Sequence, residues 1–146
     1  GKWRNYLEGS RYQSEDGSYL GAGWQRIEAN WYLLDDQGYR LTGWQERNGQ
    51  MYYLDGSGAM ITGWLSWNGR WCYMNETQDA YYGCLVRGHW LGKDGKTYYL
   101  DNVGYMVEGW YQVDGNWYYF YPGQGNKAVN TTIDTFYVNQ QGIWVH

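Results

Sequence analysis

The residues best suited to chemistry in this sequence are tryptophans that occur in pairs, seven positions apart. The first member of each pair follows a glycine, and the second opens a short aromatic run. One ring at each place would be enough to pack a strand, so the second ring is surplus. Surplus rings predict concave aromatic clefts, the usual form of a small-molecule site. The three pairs are Trp24 and Trp31, Trp64 and Trp71, and Trp110 and Trp117.

Groups that could perform catalysis or bind a metal are not clustered. The Asp residues fall in predicted turns, where a carboxylate bonds locally to the backbone. His89 and His146 are the two histidines, and neither accompanies a nucleophile or a metal-ligand pattern. We therefore predict no catalytic residues, no metal site, no cofactor and no enzyme activity.

Composition limits the class of partner. The chain has 146 residues, a net charge of -4 and 21% aromatic residues, and its mean hydropathy is -0.79. Nucleic-acid binding needs clustered Lys and Arg, which are missing here. No apolar run approaches the length of a membrane span. We expect neither a nucleic-acid partner nor membrane insertion.

A repeat of about 20 residues must position the tryptophans. A Gly-Trp pair recurs at Trp24, Trp44, Trp64 and Trp110, and Gly88-His89-Trp90 is a variant of it. Seven residues after each of these tryptophans an aromatic strand begins, as in Met51 to Leu54. Asn48-Gly49 between two such runs is a strong signal for a β-hairpin. The step from Trp64 to Trp90 is longer, so an insertion lies at Asn75 to Cys84.

The repeat predicts an all-β fold, a solenoid of stacked β-hairpins. One hairpin cannot bury its aromatic face alone, but stacked neighbours can. We expect a single domain over 1–146 with about six hairpins and degenerate ends. The predicted units are 1–23 (degenerate), 24–43, 44–63, 64–89 (with the insertion), 90–109 and 110–146 (degenerate, a cap).

Two cysteines allow two interpretations. Cys72 and Cys84 are too far apart for a CxxC motif. In an extracellular protein they could form a disulfide that closes a small loop, which we favour modestly. Alternatively they are free thiols packed as small hydrophobic side chains.

Two stretches carry a resemblance to a known family. NGQMYYLDGSGAMITGW (48–64) and DGKTYYLDNVGYMVEGW (94–110) resemble the cell-wall-binding repeat family, whose best-known members are the choline-binding repeats. The resemblance implies a superhelix of hairpins that is not catalytic. It implies a module that anchors a larger secreted protein, at a bacterial cell surface, to the choline groups of teichoic acids.

The resemblance also implies ligand-binding residues. In choline-binding members a site takes two tryptophans from one repeat and a tyrosine, often with a methionine, from the next. A quaternary ammonium cannot donate a hydrogen bond, so ring faces must recognise it. The first tyrosine of each Tyr-Tyr pair is assigned by resemblance alone. The three implied sites are Trp24, Trp31, Tyr52 and Met60; Trp64, Trp71, Tyr98 and Met106; and Trp110, Trp117 and Phe136, with Trp144 in the methionine position.

Two junctions depart from this pattern and keep other functions open. At Trp44 the second tryptophan is replaced by Met51 and the next tyrosine by Cys72, while Trp90 is followed by Thr97. These two junctions, with their polar neighbours, would suit a glucan or another polysaccharide. A third hypothesis is a structural or protein-binding stalk with vestigial sites, which the inserted loop favours.

Overall fold

A computed structural model describes residues 1–146, and strands and turns make up the whole chain. The fourteen strands pair in chain order into seven antiparallel hairpins. Nothing in the chain forms a helix that could cross a bilayer. The all-β prediction is confirmed. The strands are β1 (Lys2–Tyr6), β2 (Gly9–Gln13), β3 (Gly23–Ile27), β4 (Asn30–Leu34), β5 (Gly43–Arg47), β6 (Gln50–Leu54), β7 (Gly63–Trp67), β8 (Arg70–Met74), β9 (His89–Lys93), β10 (Lys96–Leu100), β11 (Gly109–Val113), β12 (Asn116–Phe120), β13 (Thr131–Ile133) and β14 (Phe136–Val138).

Two-residue turns close the hairpins, and their sequence explains why. In the β5–β6 hairpin both central residues lie in the left-handed region, Asn48 at φ 53° and Gly49 at φ 79°. Asn and Gly tolerate that conformation, and the resulting turn matches the right-handed twist of the strands. The structure has seven hairpins where the repeat suggested about six, because residues 110–146 contain both β11–β12 and the short β13–β14 pair.

An Asx turn follows most of the second strands and redirects the chain. After β6, one carboxylate oxygen of Asp55 accepts bonds from the backbone N–H groups of Ser57 (2.8 Å) and Ala59 (3.1 Å). Burial alone would raise the pKa of Asp55, but hydrogen bonds from Ser57, Ala59 and Gly58 outweigh it and lower that pKa. The turn carboxylates therefore have the structural role that the sequence predicts.

A backbone hydrogen bond joins the segment after each hairpin to the preceding hairpin. The residue six positions after Leu54 is Met60, whose N–H donates to the carbonyl of Trp31 over 2.8 Å. Met106 makes the same bond to Trp71, and Trp144 makes it to Trp117, each over 2.8 Å. A tryptophan that opens one second strand is thereby joined to a residue that follows the next hairpin.

The core is narrow and takes one side chain from the end of each second strand. These side chains are almost completely buried; from the second hairpin onward they are Leu34, Leu54, Met74, Leu100, Phe120 and Val138. The Cα positions form two compact units, one of residues 1–63 and 74–85 and one of 64–73 and 86–146. In each unit, tyrosines and tryptophans complete the core around these buried positions.

The favoured disulfide is not formed, and this corrects the sequence interpretation. Cys72 and Cys84 are both free and buried. Cys84 is engaged elsewhere, since its thiol donates to the hydroxyl of Tyr52 over 3.3 Å. Burial, which is the main cause, raises the pKa of the Cys72 thiol and keeps it protonated. Both cysteines are thus packed as small apolar side chains, the alternative that the sequence left open.

We predict that Leu54→Ala lowers the free energy of unfolding by about 2–5 kcal/mol, because it leaves a cavity in the narrow core. Leu54 is 0% exposed. The matched control is Leu7→Ala at a fully exposed turn, which should change stability by about 0.5 kcal/mol or less. Urea unfolding followed by circular dichroism measures both variants. Equal effects of the two substitutions would contradict this description of the core.

Candidate aromatic ligand sites

Four of the repeat tryptophans contact a tyrosine in their own hairpin, whereas Trp24 lies opposite Leu33. Trp44 and Tyr53 are direct cross-strand partners with ring centroids 5.0 Å apart, and Trp110 and Tyr119 repeat the arrangement at 5.1 Å. These are edge-to-face contacts of the kind that stabilise aromatic pairs. The second tyrosine of each Tyr-Tyr pair is therefore used for packing within the hairpin.

The first tyrosine of each Tyr-Tyr pair contacts a tryptophan of the preceding hairpin. Tyr52 contacts Trp24 with centroids 4.9 Å apart, and Tyr98 contacts Trp64 at 5.0 Å. Adjacent strand residues point to opposite faces, so the two tyrosines of a pair separate into these two tasks. The structure thus places the first tyrosine of each pair beside the tryptophan that the resemblance implied. The residue types alone did not show which of the two tyrosines would take this position.

The Trp24 cluster consists of Trp24, Trp31, Tyr52 and Met60, all half-buried. The Trp24 and Tyr52 rings meet edge to face at 64°, and the backbone bond described above holds Met60 beside Trp31. Gly83 lies against both Met60 and Tyr52, and a methyl group added there would come within 2.5 Å of the Met60 sulfur. The inserted loop therefore contributes the backbone that supports this cluster.

The Trp64 cluster surrounds a cavity of about 270 Å³ lined by Trp64, Trp71, Tyr98 and Met106 together with Gly123 and Gln124. Met106 is buried beneath it, while Trp71 is 44% exposed and forms an open wall. A carboxylate oxygen of Glu108 accepts the N–H of Gly123 over 2.5 Å and so fixes the turn at one edge. This cavity has some polar surface at that edge.

The Trp110 cluster is entirely aromatic. A cavity of about 240 Å³ is lined by Trp110, Trp117, Phe136 and Trp144, and it offers almost no polar surface. The Phe136 ring lies 5.9 Å from Trp110 and 5.7 Å from Trp144, edge to face with both. Trp117 is 40% exposed, so the cavity is open to solvent on that side.

The Trp90 junction is filled by a side chain that the sequence reasoning missed. The ammonium of Lys127 lies 5.1 Å from the Trp90 ring and 5.6 Å from the Tyr118 ring. Trp90 also contacts Tyr99 and Tyr118 edge to face. Lys127 therefore lies over the Trp90 ring, which remains 38% exposed, and a sugar-binding role for this junction stays a prediction. The sequence carried a signal for this contact, because Lys127 occupies the same position in its repeat as Met106 does in the preceding repeat.

The histidines and the possible metal ligands lie apart from one another. No group of three or more His, Cys, Asp and Glu side chains could hold a metal ion. His89 is exposed at the start of β9, and His146 packs on the Trp144 ring. Two cavities are lined by sequence-predicted residues, one at the Trp64 cluster and one at the Trp110 cluster.

A family model described as the choline-binding repeat matches residues 22–63, 41–83 and 86–131, more than half of the chain. The chain belongs to the choline-binding repeat family. A search of curated protein sequences found no match. Membership explains why paired tryptophans and the first tyrosines recur at fixed spacing along this chain.

Solved structures of this family share the fold. Choline binding protein F from Streptococcus pneumoniae is 36% identical, with a TM-score of 0.85, over 99% of this chain and 47% of its own. CbpJ from the same species is 37% identical, with a TM-score of 0.86, over 98% and 47%. The modular autolysin LytC, also pneumococcal, was solved with a synthetic peptidoglycan ligand and is 27% identical, with a TM-score of 0.71, over 99% and 33%. This chain spans less than half the length of each of these proteins.

Tyr52 gives a prediction about pH. Burial, to which the neighbouring Cys84 adds, raises the pKa of Tyr52 to about 12, whereas an unfolded tyrosine titrates near 10. The neutral form is favoured in the folded state, so its stabilisation is complete below pH 10 and is lost as the pH rises towards 12. We expect the free energy of unfolding to fall less steeply between pH 9.5 and 11.5 in Tyr52→Phe than in the wild type.

Urea unfolding at a series of pH values tests this expectation. Tyr81→Phe is the control, because Tyr81 is exposed. That variant should keep the slope of the wild type. A Tyr52→Phe slope indistinguishable from both would show that Tyr52 ionises as an ordinary tyrosine.

Proposed function

We propose that this chain is a non-catalytic module that binds choline groups of a cell-wall polymer in its three aromatic clusters, two of which surround a cavity. It would anchor a larger secreted protein to a bacterial surface. The proposal is supported by family membership and by the composition of the clusters. Its ligand-binding residues are those of the Trp24, Trp64 and Trp110 clusters.

The Trp110 cluster is the observation that carries the proposal. Its four lining side chains are all aromatic, and almost no polar atom reaches the cavity. A sugar or a primary amine would lose hydrogen bonds to water there and regain few. A quaternary ammonium has no hydrogen bonds to lose, and ring faces attract its charge. The cavity chemistry therefore favours an onium group over a polysaccharide.

Repetition supplies the strength that a single cluster lacks. Each ring contact with a cation contributes about 0.5–2 kcal/mol. After association costs, three or four rings give roughly millimolar affinity for one group. A polymer carrying many choline groups can engage several clusters, and the second capture is then intramolecular. Overall avidity can rise by about 10²–10⁴. Weak repeated sites thus suit a repetitive polymer.

Trp31→Ala tests the assignment, because it removes one wall of the Trp24 cluster and leaves the other two intact. We expect wild-type protein to bind about three choline molecules per chain at millimolar concentrations, and the variant about two. Equilibrium dialysis with labelled choline measures the stoichiometry directly. The matched control is Trp67→Ala, an exposed tryptophan that lines neither described cavity, and it should leave the stoichiometry unchanged.

The same dialysis with dextran separates the alternatives. Binding of dextran without choline would replace this proposal with polysaccharide recognition. Failure to bind either, in protein whose circular dichroism is that of a folded chain, would favour a stalk with vestigial sites. Equal loss of choline in Trp31→Ala and Trp67→Ala would contradict the assignment of the Trp24 cluster.

A further inference from the structure

Two junctions hold a positively charged side chain where the open clusters hold a methionine or a tryptophan. In residues 1–63 the guanidinium of Arg40 lies over the Trp3 ring, 4.8 Å from its centroid. In residues 86–146 the ammonium of Lys127 lies over Trp90 and Tyr118. Both distances are within the range of a cation–π interaction. The two junctions are built independently, in different units of the chain.

The backbone shows that these cations occupy an equivalent place. Arg40 N–H donates to the carbonyl of Ser10 over 2.9 Å, and Lys127 N–H donates to that of Thr97 over 2.7 Å. These are the bonds that Met60 makes to Trp31 and Met106 makes to Trp71. The cation is thus a substitution at one fixed position of the repeat.

A second position changes together with the first. Where the cation is present, the residue that opens the preceding second strand is small, Ser10 or Thr97. Where the position holds Met60, Met106 or Trp144, that residue is a tryptophan. A missing indole leaves room for a long side chain to reach the remaining rings. A cationic side chain can take the place of an external cation only if both positions change, because the small residue provides the space and the long side chain provides the charge.

The surroundings of Lys127 hold it in this place. Its ammonium donates to the carbonyl of Gln141 over 2.8 Å, and its stem packs against Gly142, where an added methyl group would come within 2.8 Å of Cδ. Arg40 packs in the same way against Gly58. Burial lowers the pKa of Lys127, while the ring faces favour its charged form. Each cation therefore spans from one hairpin to the turn of the next.

We propose that Lys127 and Arg40 are resident cations that occupy two latent onium sites and make those junctions independent of external ligand. Removal of Lys127, with an indole restored at position 97, would expose a further site for a quaternary ammonium group at Trp90 and Tyr118. The binding part of this inference rests on the proposed function. The resident position of Lys127 does not, and it can be tested alone.

Four proteins test the inference by equilibrium dialysis with labelled choline. Thr97→Trp/Lys127→Met gives the junction the composition of the Trp64 cluster, so we expect one more choline per chain than in the wild type. Thr97→Trp alone should gain none, because Lys127 still fills the junction. The third variant, Thr97→Trp/Lys96→Met, removes an exposed lysine instead and should also gain none.

A second experiment uses the wild-type protein, so its result does not depend on whether the variants fold. In spectra of ¹³C-labelled lysine, the ε-methylene protons of Lys127 should be shifted upfield by the Trp90 and Tyr118 rings, unlike those of exposed Lys2 and Lys96. Saturating choline should leave this shift in place. Random-coil positions for the Lys127 resonances would overturn the inference whether or not the variants fold.

The outcomes distinguish this inference from the proposed function. A wild type that binds choline, with a folded Thr97→Trp/Lys127→Met variant that gains no site, overturns the latent site. A gain in Thr97→Trp alone shows that Lys127 is not an occupant and also overturns it. Absence of choline binding in every protein contradicts the proposed function, and the lysine spectra then decide the resident position.

Discussion

The structure depends on contact between a tryptophan of one hairpin and the first tyrosine of the next. Each hairpin buries little more than one aliphatic side chain, such as Leu54 or Leu100, so it cannot stand alone. Edge-to-face pairs such as Trp24 with Tyr52 supply the missing interface, and a backbone bond across the same junction fixes their register. The contact that holds neighbouring hairpins together therefore also builds the wall of a cleft.

Two further positions distinguish the cavity-forming junctions from those that hold a cation. A second tryptophan with a methionine or a tryptophan opposite leaves an aromatic cavity, as at Trp64 and Trp110. A small residue with a cation opposite fills the junction from within, as at Lys127. The rings that join neighbouring hairpins thus also line the cavities, so under the proposed function stability and recognition would use the same rings. Repeated cavities of this kind would suit a polymer that presents the same cationic group many times.

Much of this organisation could be predicted from the sequence, because its signals are local. Asn48-Gly49 and the spacing of the tryptophans defined the hairpins and their order. The sequence also identified the rings that meet at the three clusters, although the choice of Tyr52 over Tyr53 came from resemblance. The disulfide prediction failed because the position of a thiol depends on packing, and Cys84 bonds to Tyr52 instead. The sequence interpretation missed Lys127 because it considered only the aromatic residues and not the side chain that lies over the Trp90 ring.

A crystal structure of the chain with saturating choline tests the central claim most directly, since it locates every bound onium group. The account predicts a quaternary nitrogen among the rings of the Trp24, Trp64 and Trp110 clusters, and Lys127 still over Trp90. Empty clusters at saturation, or choline bound at Trp90 with Lys127 displaced into solvent, would contradict it.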